Sequence, residues 1–72
     1  VALKKRSLVL AGHATSVALE PEFWEALEDI AKHEGVGLNA LVARLDEGRG
    51  EGGLASTLRL YCLSVLMARN KA

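Results

Sequence analysis

A mainly helical fold with a short N-terminal β-ribbon is predicted here by three observations. Half of the 72 residues are apolar, yet only Phe23, Trp24 and Tyr61 are aromatic. The core is therefore built from Leu, Val and Ala, a composition that suits packed helices. Apolar residues recur at helical spacing through most of the chain after Pro21. Just before it, Thr15-Ser16-Val17-Ala18-Leu19 alternates, with Thr15, Val17 and Leu19 on one face and Ser16 and Ala18 on the other, the period of a half-buried strand.

Residues 1–72 read as one domain, and a domain of this size hides only about 60% of the surface its unfolded chain exposes. A lone strand also leaves backbone donors and acceptors open along both edges. Both arguments point to a dimer.

In chain order, residues 1–5 read as a flexible basic arm and residues 6–19 as ribbon. Arg6-Ser7-Leu8-Val9-Leu10 is a second strand-compatible run, separated from the first by Ala11-Gly12-His13-Ala14. Two arrangements satisfy these runs: a fold-back hairpin, or one ribbon with a kink at Gly12. The kinked ribbon is favoured because none of the usual two-residue hairpin pairs stands between them. Pro21 suits the first position of a helix, residues 21–34, where its missing N–H costs nothing. Phe23, Trp24, Leu27, Ile30 and Ala31 give that helix its apolar face, and Gly35 supplies the left-handed residue that ends it.

Gly37 serves as N-cap of a second helix, residues 38–47, with Leu38, Leu41, Val42 and Leu45 as its buried stripe. Gly48, Gly50, Gly52 and Gly53 make residues 48–53 a flexible loop. A third helix, residues 54–69, is apolar around most of its circumference: Leu58, Tyr61, Cys62, Val65 and Leu66 on one face, with Leu60, Leu63 and Met67 beyond it. In so small a chain that pattern suits a subunit interface. Arg59, the lone charge inside this run, belongs at its rim beside an acidic neighbour.

The formal net charge is zero but unevenly spread. Lys4, Lys5 and Arg6 are clustered, whereas Glu20, Glu22, Glu25, Glu28, Asp29 and Glu34 face Lys32 alone. Any surface for phosphate must use the basic N-terminal end. Cys62 is the one cysteine, which excludes an intrachain disulfide and a thiolate metal cluster and suits a reducing cytoplasm. His13 and His33 lack partners at ligand spacing, so no metal or other cofactor is expected. Ser16, Ser56 and Ser64 have no activating base in the sequence, and no enzyme is read here. No apolar run reaches the roughly 20 residues of a membrane span, and the apolar run after Lys4-Lys5-Arg6 breaks at Gly12-His13, unlike a signal peptide.

The order strand, helix, Gly-containing turn, helix resembles the ribbon-helix-helix family of small bacterial DNA-binding proteins, the Arc/MetJ/CopG-like group. The residues that carry the resemblance are Ser16-Val17-Ala18-Leu19-Glu20-Pro21, Glu22-Phe23-Trp24-Glu25-Ala26-Leu27 and Gly35-Val36-Gly37-Leu38-Asn39-Ala40-Leu41-Val42. The flanks, Lys5 to His13 ahead and Leu54-Ala55-Ser56-Thr57-Leu58-Arg59 behind, resemble a bacterial branch with a third helix.

The resemblance implies an intertwined dimer whose strands pair antiparallel and enter the major groove of double-stranded DNA as a transcriptional regulator. It puts Lys4, Lys5, Arg6, His13, Ala14, Ser16 and Ala18 toward DNA. It gives the helix N-terminus at Gly37, Leu38 and Asn39 a phosphate, held by backbone N–H groups and the Asn39 amide. It makes Val17, Leu19, Trp24, Leu27, Leu41, Leu58, Tyr61, Cys62 and Val65 the dimer core. Bidentate base contacts need Arg, Lys, Asn or Gln, whereas this ribbon offers Ala14, Ser16 and Ala18, so salt-sensitive binding of modest specificity is expected. The alternative is a protein-interaction or dimerisation module with little DNA affinity. An antitoxin is a third reading, one that calls for a longer tail than Arg69-Asn70-Lys71-Ala72.

Overall fold

The computed structural model describes residues 2–71; Val1, the first residue of the expected arm, and Ala72 lie outside the described residues. Two strands, β1 (Lys4–Leu10) and β2 (His13–Leu19), are followed by helices α1 (Pro21–Glu34), α2 (Leu38–Gly48) and α3 (Leu54–Asn70). The strands form an antiparallel hairpin, with Lys4 opposite Leu19 and Leu10 opposite His13. The kinked ribbon favoured from sequence is thus overturned, and Lys4 and Lys5, expected in the arm, are strand residues.

The physical reason lies in the two-residue turn. Ala11 and Gly12 both have positive φ, 52° and 79°, the pattern of a primed turn whose twist matches its flanking strands. Gly12 adopts that conformation without steric penalty, whereas the Cβ of Ala11 makes its left-handed backbone a strained position that the strand pairing must offset. The resulting register gathers Leu8, Leu10, Val17 and Leu19 on one face. A shift by one residue would turn one strand's apolar set to solvent.

The helices cover that face, with α2 beside β1 and α3 against β2 and both other helices. Pro21 begins α1, and Gly35 (φ 73°) closes it. The Gly35 N–H donates to Lys32 O (3.1 Å) and the Val36 N–H to Ala31 O (3.0 Å), the paired bonds of a Schellman motif. The core comprises Leu8, Leu10, Val17, Leu19, Trp24, Leu27, Ile30, Ala31, Leu41, Val42, Leu58 and Cys62, without a buried polar side chain among the described residues. Tyr61 and Val65 pack against it half-buried. Of the residues expected to form a dimer core, Val17, Leu19, Trp24, Leu27, Leu41, Leu58 and Cys62 are buried within a single chain, and Tyr61 and Val65 keep part of their surface open.

Polar contacts staple the layers together. Arg59 Nε donates to Glu20 Oε1 (2.9 Å) and Arg69 to Asp29 (3.1 Å), holding α3 along α1. Arg44 (2.8 Å) and the Tyr61 hydroxyl (3.0 Å) both donate to Glu34, joining all three helices. The glycine-rich loop, read as flexible, is bridged by Arg49, which donates to Asp46 Oδ1 (2.6 Å) and to Gly52 O (2.7 Å). One side of α3 stays open, with Leu60, Leu63, Leu66 and Met67 between 50% and 62% exposed.

Candidate nucleic-acid interface

Alternation in the hairpin decides which side chains face outward. Leu8, Leu10, Val17 and Leu19 point into the core, so Lys5, Ser7 and Val9 of β1 and Ala14, Ser16 and Ala18 of β2 form the opposite face. Val9 is 57% exposed there. The sequence placed Ala14, Ser16 and Ala18 on this face but missed Ser7 and Val9, whose exposure follows only from the hairpin register. Lys4, Arg6 and His13 were expected to face DNA; their parity puts them on the core side of the ribbon, at its margins.

Arg6 has a different task. Its guanidinium lies 5.1 Å from the centre of the Trp24 ring and 3.4 Å from Glu28 Oε1. The Trp24 indole N–H donates to Lys4 O (2.8 Å). Together these pin the start of β1 to α1, and Trp24 is buried. Phe23 is half-buried under Arg59, whose guanidinium lies 5.7 Å from its ring centre.

The second part of the site is the start of α2. Gly37 is its N-cap in extended conformation (φ −76°, ψ 157°), without a side-chain cap or an acidic residue in the first turn. The first bond of the helix runs from the Leu41 N–H to Gly37 O (3.0 Å), which leaves the N–H groups of Leu38, Asn39 and Ala40 without intrahelical acceptors. Here the Asn39 side chain departs from expectation. Its Oδ1 accepts from the Val9 N–H (2.8 Å), and its Nδ2 donates to Val9 O (2.7 Å). The amide is engaged as if it were a neighbouring strand, with its Oδ1 and one Nδ2 hydrogen committed to Val9. The backbone N–H groups keep the capacity to hold a phosphate, and the paired bonds fix them beside the ribbon.

Basic charge near this surface comes from Lys4 and Lys5. Arg6, Arg59 and Arg69 are each bound to an acidic residue of α1 or its cap. The Arg59 guanidinium holds the Glu20 carboxyl below its ordinary value, and Arg44, then Tyr61, do the same for Glu34. Burial, then the Glu34 carboxylate, raises the Tyr61 phenol, and burial raises the Cys62 thiol, leaving an unreactive sulfur.

Among the described residues no cavity opens, no group of three His, Cys, Asp or Glu side chains is placed to hold a metal, and no helix is long and apolar enough to cross a membrane.

A family model described as a ribbon-helix-helix domain matches residues 3–66. The chain belongs to the ribbon-helix-helix domain family. Members of this family are generally DNA-binding regulators on a non-enzymatic fold. A solved structure of an uncharacterized protein from Bordetella pertussis Tohama I is similar to it, with 37% identity and a TM-score of 0.78. The similarity covers 99% of this chain and 62% of that one, so the chain spans less than two thirds of the neighbour's length. A search of the curated proteins found no match.

Proposed function

We propose that this ribbon-helix-helix domain is a DNA-binding transcriptional regulator, acting as a homodimer in the bacterial cytoplasm. The observation that carries the reading is the Asn39–Val9 pair, which seats the open N-terminus of α2 beside the outward face of the ribbon. A surface for side chains in a groove and a set of N–H groups for phosphate thereby move as one body.

The dimer joins through β2. Leu10 and His13 flank the turn as a hydrogen-bonded pair, so the N–H and C=O groups of Ala14, Ser16 and Ala18 point away from β1. Among the described residues no hydrogen bond reaches them. Pairing two β2 strands antiparallel about Ser16 sets Ala14 opposite Ala18 of the partner, and each such pair exchanges two hydrogen bonds. The resulting sheet has four strands. A major groove about 12 Å wide admits the central β2 pair. Each β1 then lies about 4.8 Å further out, at the groove wall, where Lys5 and the α2 N-terminus meet phosphate.

With Ala and Ser at its centre, this surface reads bases weakly and depends on phosphate. Titration of duplex DNA at about 50 mM and 200 mM salt tests the reading. Binding that weakens steeply with salt and little with sequence is expected.

A second reading keeps the fold as a protein-interaction module with little DNA affinity. It is favoured by the exposed Leu60, Leu63, Leu66 and Met67 of α3 and by an outward ribbon face whose one cation is Lys5. No binding at about 50 mM salt decides for it.

A further inference from the structure

The two edges of the hairpin are treated differently. The β2 edge presents outward backbone groups only at Ala14, Ser16 and Ala18, which are small, uncharged and open. The β1 edge presents them at Lys5, Ser7 and Val9. There Val9 has both groups engaged by the Asn39 amide, at 2.8 Å and 2.7 Å. A side-chain amide places an N–H donor and an acceptor oxygen at about the spacing of a peptide unit, so it terminates a strand edge as a further strand would extend it. Lys5, at the other end of that edge, adds a charge that disfavours strand addition. Val9 is otherwise a hazard: a β-branched residue, 57% exposed, on an edge strand.

We infer that Asn39 is an edge guard, which confines strand pairing between copies of this chain to β2 and thereby stops assembly at the dimer. The inference rests on the proposed β2 dimer. A protomer with one open edge makes a closed pair, whereas a protomer with two open edges makes an unlimited row, because each added copy exposes a fresh edge. The occupant that Asn39 excludes is a second copy's β1. That strand is self-complementary in antiparallel pairing, as Lys5-Ser7-Val9 meets Val9-Ser7-Lys5 with the lysines at opposite ends.

Sedimentation velocity on the full chain and three variants tests this. The variants are Asn39→Ala, Ser16→Pro, and both together. Ser16→Pro removes an N–H that points away from β1, so the hairpin keeps its ladder while the β2 edge loses a donor. The wild type is expected to be a dimer and Ser16→Pro a monomer. Asn39→Ala is expected to give species larger than the dimer that grow with concentration, and the double variant a dimer joined through β1. Amide exchange at Val9 in the Ser16→Pro background should accelerate roughly tenfold when Asn39 is replaced.

If Asn39→Ala remains a dimer while Ser16→Pro is monomeric, the edge guard is overturned and the β2 dimer stands. If Ser16→Pro remains a dimer, the β2 reading falls. The guard is then judged in the double variant: growth beyond that dimer with faster Val9 exchange supports it, and the absence of either overturns it.

Discussion

Ala11 holds a left-handed backbone (φ 52°) without the benefit of being glycine. A chiral residue in that region costs about 1 kcal/mol, whereas Asn tolerates it and Asn-Gly is a favoured primed-turn pair. Ala11→Asn is therefore expected to stabilise the domain by about 0.5–1 kcal/mol, raising the thermal midpoint by roughly 2–8 °C. Calorimetry checks it, and a lowered midpoint would contradict the turn described above. The same turn marks where reading the sequence stops. Pro21 and Gly35 carry their meaning locally, one by a missing N–H and the other by a missing Cβ. Ala11-Gly12 does not, because the turn is selected by the apolar faces of the strands it joins. The Asn39–Val9 pair lies 30 residues apart in sequence, and no local pattern announces a contact made by folding.

Charged residues set the pH response. Glu20 and Glu34 have folded pKa values depressed below their ordinary value of 4.5. A depressed carboxylate contributes stability that is fully present above that value and is lost as pH falls through the lower folded value. Tyr61 is raised above 10.0, so its contribution is present below that pH and is lost as pH rises through the higher folded value. Glu34→Gln should accordingly lower the thermal midpoint at pH 7 while flattening its decline below pH 4. Thermal melts across that range check both parts.

Among the elements, α3 is apolar on both sides but buried on only one. Leu58 is fully buried, and Leu63 is 50% exposed on the same helix. Leu58→Ala is expected to cost about 2–5 kcal/mol through reduced burial and a residual cavity. That is a large share of the roughly 5–15 kcal/mol that stabilises a domain. Leu63→Ala should stay within about 0.5 kcal/mol if that side faces water. Denaturant melts of the two variants check the contrast, and a comparable loss at Leu63 would mark the outer side of α3 as an interface. The sequence shows α3 to be apolar nearly all round, and a dimer interface explains that pattern. Within one chain its two sides separate: one fills the core, and the other is exposed and remains available to an interface. Periodicity alone cannot make that division, because it depends on where β2 and α1 pack. Arg59 illustrates the opposite case. A lone charge inside an apolar helix has to find an acid at the rim, and Glu20 lies 2.9 Å away.

In the whole molecule, zero net charge hides a polarity. The acidic residues of α1 are partly neutralised by Arg6, Arg59 and Arg69, while Lys4 and Lys5 stand at the ribbon. Removing Lys5 by Ala substitution should weaken binding to all duplexes alike and lower the salt slope by about 0.9 for each phosphate no longer neutralised. Titrations at several salt concentrations check it, and an unchanged slope would place the phosphate-binding groups elsewhere. The family, the mainly helical class and the β-ribbon were all legible in the chain. The composition of the ribbon's outer face was only half legible, since its β1 residues depend on the register of the hairpin.

The proposal that this face and the start of α2 form one DNA surface is tested most directly by amide chemical shifts during titration with a short duplex. Shifts should concentrate at Lys5, Ser7, Val9, Ala14, Ser16 and Ala18 and at the N–H groups of Leu38, Asn39 and Ala40, and should fade as salt is raised. Shifts confined to α1 or the outer side of α3, or no shifts at about 50 mM salt, would contradict it.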